Sequence, residues 1–185
     1  MKHIKASLIT LGALLLAPAA AQAAPHTPHW SAAGLVGYGF EDGSNFGVGA
    51  RFGYSLRNNI YLGGLFQYHF GETNEVGLPP FAVAEEHFNV YYFGFEGGYD
   101  FHIDDFVIRP YMGIGPGFYH WSADANVVGA TGDYSDTNAE FAFWFGGTFL
   151  YQFDNSDWFI GGDFRLPIID GDVYPTLAFT GGLNF

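Results

Sequence analysis

Residues 46–54 read Phe46-Gly47-Val48-Gly49-Ala50-Arg51-Phe52-Gly53-Tyr54. Phe46, Val48, Ala50, Phe52 and Tyr54 share one phase; Gly47, Gly49, Arg51 and Gly53 share the other. Alternation with period two marks a β-strand with two unlike faces. One face here is bulky and apolar, the other is glycine with a single arginine. A strand that turns its small face inward can close a narrow barrel, and its aromatic face then needs lipid rather than water.

The pattern recurs on both sides of this stretch, eight times in all. Upstream, the segment from Trp30 to Glu41 sets Val36, Tyr38 and Phe40 against Gly37 and Gly39. Downstream, Ile60, Leu62, Phe66, Tyr68 and Phe70 oppose Gly63, Gln67 and His69. Tyr91, Phe93, Phe95, Tyr99 and Phe101 then oppose Gly94, Glu96, Gly98 and Asp100. Ile108, Met112, Ile114 and Phe118 face away from Arg109, Tyr111, Gly113, Gly115 and Gly117. Phe141, Phe143, Phe145, Phe149 and Tyr151 face away from Glu140, Ala142, Trp144, Thr148 and Gln152. Trp158, Ile160, Phe164 and Leu166 oppose Gly161, Asp163 and Arg165; Leu177, Phe179, Leu183 and Phe185 close the series against Thr176, Ala178, Thr180 and Asn184.

Strands of about nine to twelve residues have the length that crosses a bilayer at a tilt. Short turns at 56–59, 102–105 and 154–157 alternate with long polar connections at 71–86 and 122–138 and a shorter loop at 168–173, although the first outer connection, at 42–45, is short. The expected fold is therefore all-β: an eight-stranded antiparallel up-and-down transmembrane β-barrel, with both ends and the short turns on the periplasmic side. A lipocalin-type soluble barrel would have to hold most of 21 Phe, 12 Tyr and 4 Trp inside, and an eight-stranded interior is too narrow for that.

The start of the chain supplies an address. Lys2 and Lys5 precede an apolar run, Leu8 to Ala17, and Ala21-Gln22-Ala23 is a small-x-small cleavage signal. This is the form of a bacterial secretory leader, too short for a spanning helix. The expected division is a signal peptide over 1–23, a short periplasmic segment over 24–29 and a barrel domain over 30–185. His26 and His29 in that segment lack the further ligands a metal site needs.

Cysteine is absent, so no disulfide supports the fold. Without the leader, the basic residues are Arg51, Arg57, Arg109 and Arg165, against 19 acidic ones. Such a balance repels nucleic acid.

With its leader, its eight alternating strands and its Arg109-Pro110-Tyr111-Met112-Gly113-Ile114-Gly115 strand, the chain resembles the small bacterial outer-membrane barrels typified by the OmpA membrane domain and OmpX. The terminal Phe185 belongs to the same resemblance. It implies a Gram-negative outer-membrane location and insertion by the barrel-assembly machinery. That family's usual terminal signal is matched at Leu183 and Phe185, while its glycine position falls on Thr180. The fold hosts structural proteins, surface proteins and lipid-modifying enzymes alike.

Three sets of residues could carry chemistry. Arg51, Glu96, Arg109, Asp163 and Arg165 have the inward phase, and buried charges must be paired. An Arg–carboxylate network plugging the lumen is expected, with Gln67, Tyr111 and Gln152 nearby; the alternative is a narrow small-solute pore. His120 and Ser122, with Glu140, resemble the arrangement in outer-membrane lipid A deacylases, since a serine hydrolase needs a base and an orienting acid. Their phases differ, so catalysis is not the expected role. His69, His87 and His120 do not converge in phase, and no dedicated metal site or cofactor is expected.

The outer connections carry Glu41, Asp42, Glu72, Glu75, Glu85, Glu86, Asp124, Asp133, Asp136, Asp170 and Asp172. Oxygen ligands of this kind suit Ca²⁺ or Mg²⁺ bridging to lipopolysaccharide, though none has the spacing of a calcium loop. The sequence thus points to a monomeric envelope protein that contacts membrane lipids and lipopolysaccharide and acts through structure and surface.

Overall fold

The computed structural model describes residues 27–41, 45–71, 73–78, 82–127 and 130–185. The leader and His26 lie outside the described residues. The elements are β1 (His29–Gly39), β2 (Phe46–Ser55), β3 (Ile60–His69), β4 (Thr73–Leu78), β5 (Ala82–Tyr99) and β6 (Phe101–Ile103). They continue with β7 (Phe106–Val127), β8 (Ala130–Gln152), β9 (Trp158–Ile169), β10 (Asp172–Val173) and β11 (Thr176–Asn184). Neighbours pair antiparallel in the order β5-β3-β2-β1-β11-β9-β8-β7, and β7 returns to β5. The sheet is closed, so an eight-stranded ring leaves no edge at membrane depth, where an unpaired backbone group would have no water to bind.

The seam where the first and last strands meet is fully laddered, from Ser31 opposite Asn184 to Gly39 opposite Thr176. Beyond the ladder, Trp30 and Phe185 exchange both backbone hydrogen bonds, each 2.9 Å.

Side chains divide as the alternation requires. Phe95 is 78% exposed and Phe141 64%, while Tyr61, Gln67 and Arg165 on the other phase are at 0%. A continuous exposed apolar band of this size is stable only in lipid. Aromatic rings gather at both ends of it. Trp30, Phe52 and Tyr54 cluster at the end holding the short turns, Tyr68, Tyr91 and Phe118 nearer the other.

Two expectations are corrected. Three strands exceed the expected length, with 18 residues in β5, 22 in β7 and 23 in β8. The segments expected as long loops, 71–86 and 122–138, are largely hairpin: β4 pairs with β5 from Thr73–His87 to Leu78–Ala82, and β7 pairs with β8 up to Val127–Ala130. About 9–11 residues suffice to span the membrane, so these ladders continue past it. The connection 168–173 is likewise a tight hairpin, Ile168 opposite Val173, with Asp170 and Gly171 both at positive φ (51° and 84°). That is the geometry two-residue hairpin loops require.

The interior is also less uniformly small than expected. Tyr61, Tyr92, Tyr111 and Trp144 point into it together with three arginines. Glycines make the room: a Cβ at Gly53 or Gly63 would overlap the Tyr61 ring, and one at Gly113 would overlap Trp144. Gly53, Gly63 and Gly113 are thus seats for particular large inward side chains.

Candidate functional site

The lumen holds two stacked groups of charges. Near the short turns, Arg109 grips Asp100 with both Nε (2.5 Å to Oδ1) and Nη2 (3.0 Å to Oδ2). Ser55 Oγ donates to the same carboxylate at 2.6 Å, and the guanidinium lies over the Tyr61 ring, 3.7 Å from its centroid. Bidentate arginine–carboxylate pairs are among the stronger charge-assisted arrangements.

The second group is larger and centred on Asp163. Arg51 Nη2 approaches its Oδ2 at 2.9 Å and Arg165 Nη2 its Oδ1 at 2.7 Å. Tyr111 OH and Thr148 Oγ1 each donate to Oδ2 at 2.8 Å. Arg51 Nε also binds Glu96 Oε2 at 2.8 Å, and Trp144 Nε1 donates to Glu96 Oε1 at 3.0 Å. Arg165 completes its shell with Tyr111 OH at 3.0 Å and Tyr92 OH at 3.2 Å. Among these groups three guanidiniums meet three carboxylates, all nearly inaccessible. A buried charge is tolerated only when paired and hydrogen-bonded, and here each one is.

All five sequence-identified lumen residues, Arg51, Glu96, Arg109, Asp163 and Arg165, lie in this arrangement, Tyr111 joins it directly, and Gln67 Oε1 accepts from Arg165 Nη1 at 3.5 Å. Gln152 does not reach it. It ends β8 and pairs with Phe159 near the rim. Asp100, Ser55, Thr148 and Trp144 are participants that the sequence reading does not single out, although all have the inward phase. Asp100 is recoverable: Phe101 pairs with Ile108 across the turn, which sets Asp100 beside Arg109.

The His/Ser set is arranged differently. His120 and Ser122 lie on the outward phase of β7, opposite Asn89 and His87 on β5 and opposite Thr137 and Ser135 on β8. The His120 ring contacts Thr137 Oγ1 through Nδ1 at 2.9 Å. Glu140 is opposite Gly117, on the other phase, so it does not orient the His120 ring as an acid of a triad would. Ser122→Ala is expected to leave the acyl composition of lipid A unchanged, measured by mass spectrometry of lipid A from cells with and without the variant. His69 points inward, stacked on Tyr92 with ring centroids 6.4 Å apart. No group of three or more metal-ligating side chains occurs among the described residues.

At the rim formed by the short turns, charge is uneven. Asp104, Asp105, Asp154 and Asp157 occupy two of the three turns, and the carboxyl of Asp105 is held above its ordinary pKa chiefly by the charge of Asp154. The third turn, between β2 and β3, carries Arg57.

Comparisons with known proteins agree with this architecture. A major outer-membrane protein of Thermus thermophilus superposes with a TM-score of 0.60 at 10% identity, over 86% of this chain and 100% of that one. Ail, the attachment invasion locus protein of Yersinia pestis, solved with the heparin analogue sucrose octasulfate, gives 0.52 at 18% identity, over 85% and 97%. The N-terminal barrel of Pseudomonas aeruginosa OprF gives 0.50 at 15%, over 85% and 97%. A search of curated proteins finds no match. The model of the outer membrane protein beta-barrel domain matches residues 9–185. The chain belongs to that family and is a β-barrel protein of the bacterial outer membrane.

Proposed function

We propose that this barrel is a non-conducting envelope protein, monomeric in the membrane, whose work is done by its wall and its outer hairpins. The observation that carries this reading is the closed set of lumen charges. Arg51, Arg109 and Arg165 are matched by Glu96, Asp100 and Asp163, so no charged side chain of the set is left to draw hydrated ions through. Tyr92, Tyr111 and Trp144 fill the space between and above the pairs. Eight strands leave little bore beyond such side chains.

The surface role follows from what the hairpins present. The described acidic groups Glu41, Asp136, Asp170 and Asp172 are exposed at this end, and the outer connections carry further Asp and Glu in sequence. Ail was solved with a polysulfated sugar; a surface of this sign repels such a polyanion and suits divalent cations bridging to lipopolysaccharide, or a cationic partner. Leu183 and Phe185 serve the insertion machinery.

The test is ion conductance. The purified barrel inserted in planar bilayers at neutral pH is expected to give no discrete current steps. Regular steps that persist after removal of porin contaminants would replace this reading with the narrow pore.

A further inference from the structure

The geometry points to a phospholipid site on the outside of the barrel: an acyl chain in a groove across β1–β2–β3–β5, with the lipid phosphate at Arg57. The outward phase of these strands is interrupted by a run of small residues, Ala32, Gly34, Ala50 and Gly64. Phe52, Phe66, Phe95 and Ile114 rise around them and enclose a groove of about 1160 Å³ with an almost wholly apolar lining. The registers place the small residues together, with Gly34 opposite Ala50 and Gly64 between Phe52 and Phe95.

Depth selects the leaflet. The groove starts at Trp30 and Tyr54, beside the short turns, and reaches Phe66 and Ile114. From Leu62 to Phe66 is four residue steps, roughly 13 Å at ~3.3 Å per step, close to half of a ~30 Å hydrocarbon core. The occupant is thus a lipid of the periplasmic leaflet, and its headgroup lies at the level of the turns.

Charge selects the headgroup, independently of the groove. Arg57 is the exposed arginine, the other three being consumed in the lumen. It stands in the turn joining β2 to β3, the two strands that supply Ala50 and Gly64, and it forms no ion pair with any described acidic residue. The aspartates of this rim sit in the β6–β7 and β8–β9 turns, none of them in the β2–β3 turn that carries Arg57. An anionic headgroup is therefore repelled around much of the rim and attracted at the foot of the groove, where a guanidinium can bind phosphate through two donors. Trp30 and Tyr54, ring centroids 4.7 Å apart, flank it at the depth where amphipathic rings meet headgroups.

Native mass spectrometry of the whole barrel, released from micelles supplemented with palmitoyl-oleoyl phosphatidylglycerol or phosphatidylethanolamine, tests the site. One phosphatidylglycerol should be retained in preference to phosphatidylethanolamine. Gly34→Leu and Gly64→Leu fill the groove without disturbing the wall, since a Cβ at Gly34 meets nothing within 4 Å and one at Gly64 meets only Gly94 O at 3.6 Å. Together they should lower retention of both lipids about tenfold, a loss of ~1.4 kcal/mol. Arg57→Gln should abolish the preference between headgroups while leaving chain-dependent retention. Gly162→Leu, lipid-facing on β9 with its nearest neighbour at 4.0 Å, should behave as wild type. Equal retention by the groove-filled and Gly162→Leu proteins overturns the proposal. So does a two-chain mass that the groove-filling substitutions convert to one chain, which would give the groove to a second copy.

Discussion

Replacing Asp163 with alanine is expected to destabilise the folded barrel by about 3–5 kcal/mol, the range for a buried ion pair that loses one partner. Asp163 is held by two guanidiniums and two hydroxyls. Its loss leaves Arg51 with Glu96, but Arg165 keeps only the neutral partners Tyr111, Tyr92 and Gln67. The lumen then carries an unmatched positive charge with little access to water. The measurement is the urea midpoint of reversible unfolding in micelles. Asp163→Asn separates charge from packing, because the amide keeps the shape and one acceptor; its loss should be smaller but in the same direction. A midpoint for the alanine variant equal to wild type would mean that the network does not hold the barrel together.

Phe185→Ala, or deletion of Phe185, is expected to remove most of the folded protein from the outer membrane, whereas a deletion within residues 126–134 leaves insertion near wild type. Phe185 ends the closing seam. Its backbone exchanges two hydrogen bonds with Trp30 and its ring lies 6.3 Å from that of Phe52. Deletion forfeits the backbone pair as well as the ring, while alanine removes the ring alone, so the two variants separate closure of the seam from recognition of the aromatic end. The 126–134 segment is the far end of the β7–β8 hairpin, with Val127 opposite Ala130, remote from the seam. The readout is the fraction of protein whose gel mobility shifts on boiling, in isolated membranes. Equal losses from the terminal and hairpin deletions would refute the assignment.

Which side of the wall each residue faces is legible in the sequence because lipid and lumen are such different surroundings. Val48, Phe52 and Phe66 can face only one way, and Arg51, Gln67 and Asp163 only the other. That contrast disappears above the bilayer, where water lies on both sides of the sheet. Hence Thr73–Leu78 and the upper parts of β7 and β8 carry no period-two signal, and their polar residues resemble those of loops. Pairing across the lumen is hidden for another reason. Arg51 on β2 meets Asp163 on β9 because of how the closed sheet is sheared, a property of the ring that no single strand displays. Pairs set by neighbouring strands, such as Thr148 opposite Asp163, follow once the turns are placed. The groove is equally hidden, since Ala32, Gly34, Ala50 and Gly64 become adjacent only through two registers, β1–β2 and β2–β3.

The stacked arginine–carboxylate groups have a consequence for how the molecule experiences voltage. A charge moved through a membrane field of 100 mV gains or loses about 2.3 kcal/mol. The three arginines and three acids of the lumen sum to zero, and the strongly acidic remainder of the chain belongs largely to the turns and outer hairpins. Electrically, the lumen charges inside the bilayer cancel between charged ends, so a potential across the outer membrane has no net charge there to push.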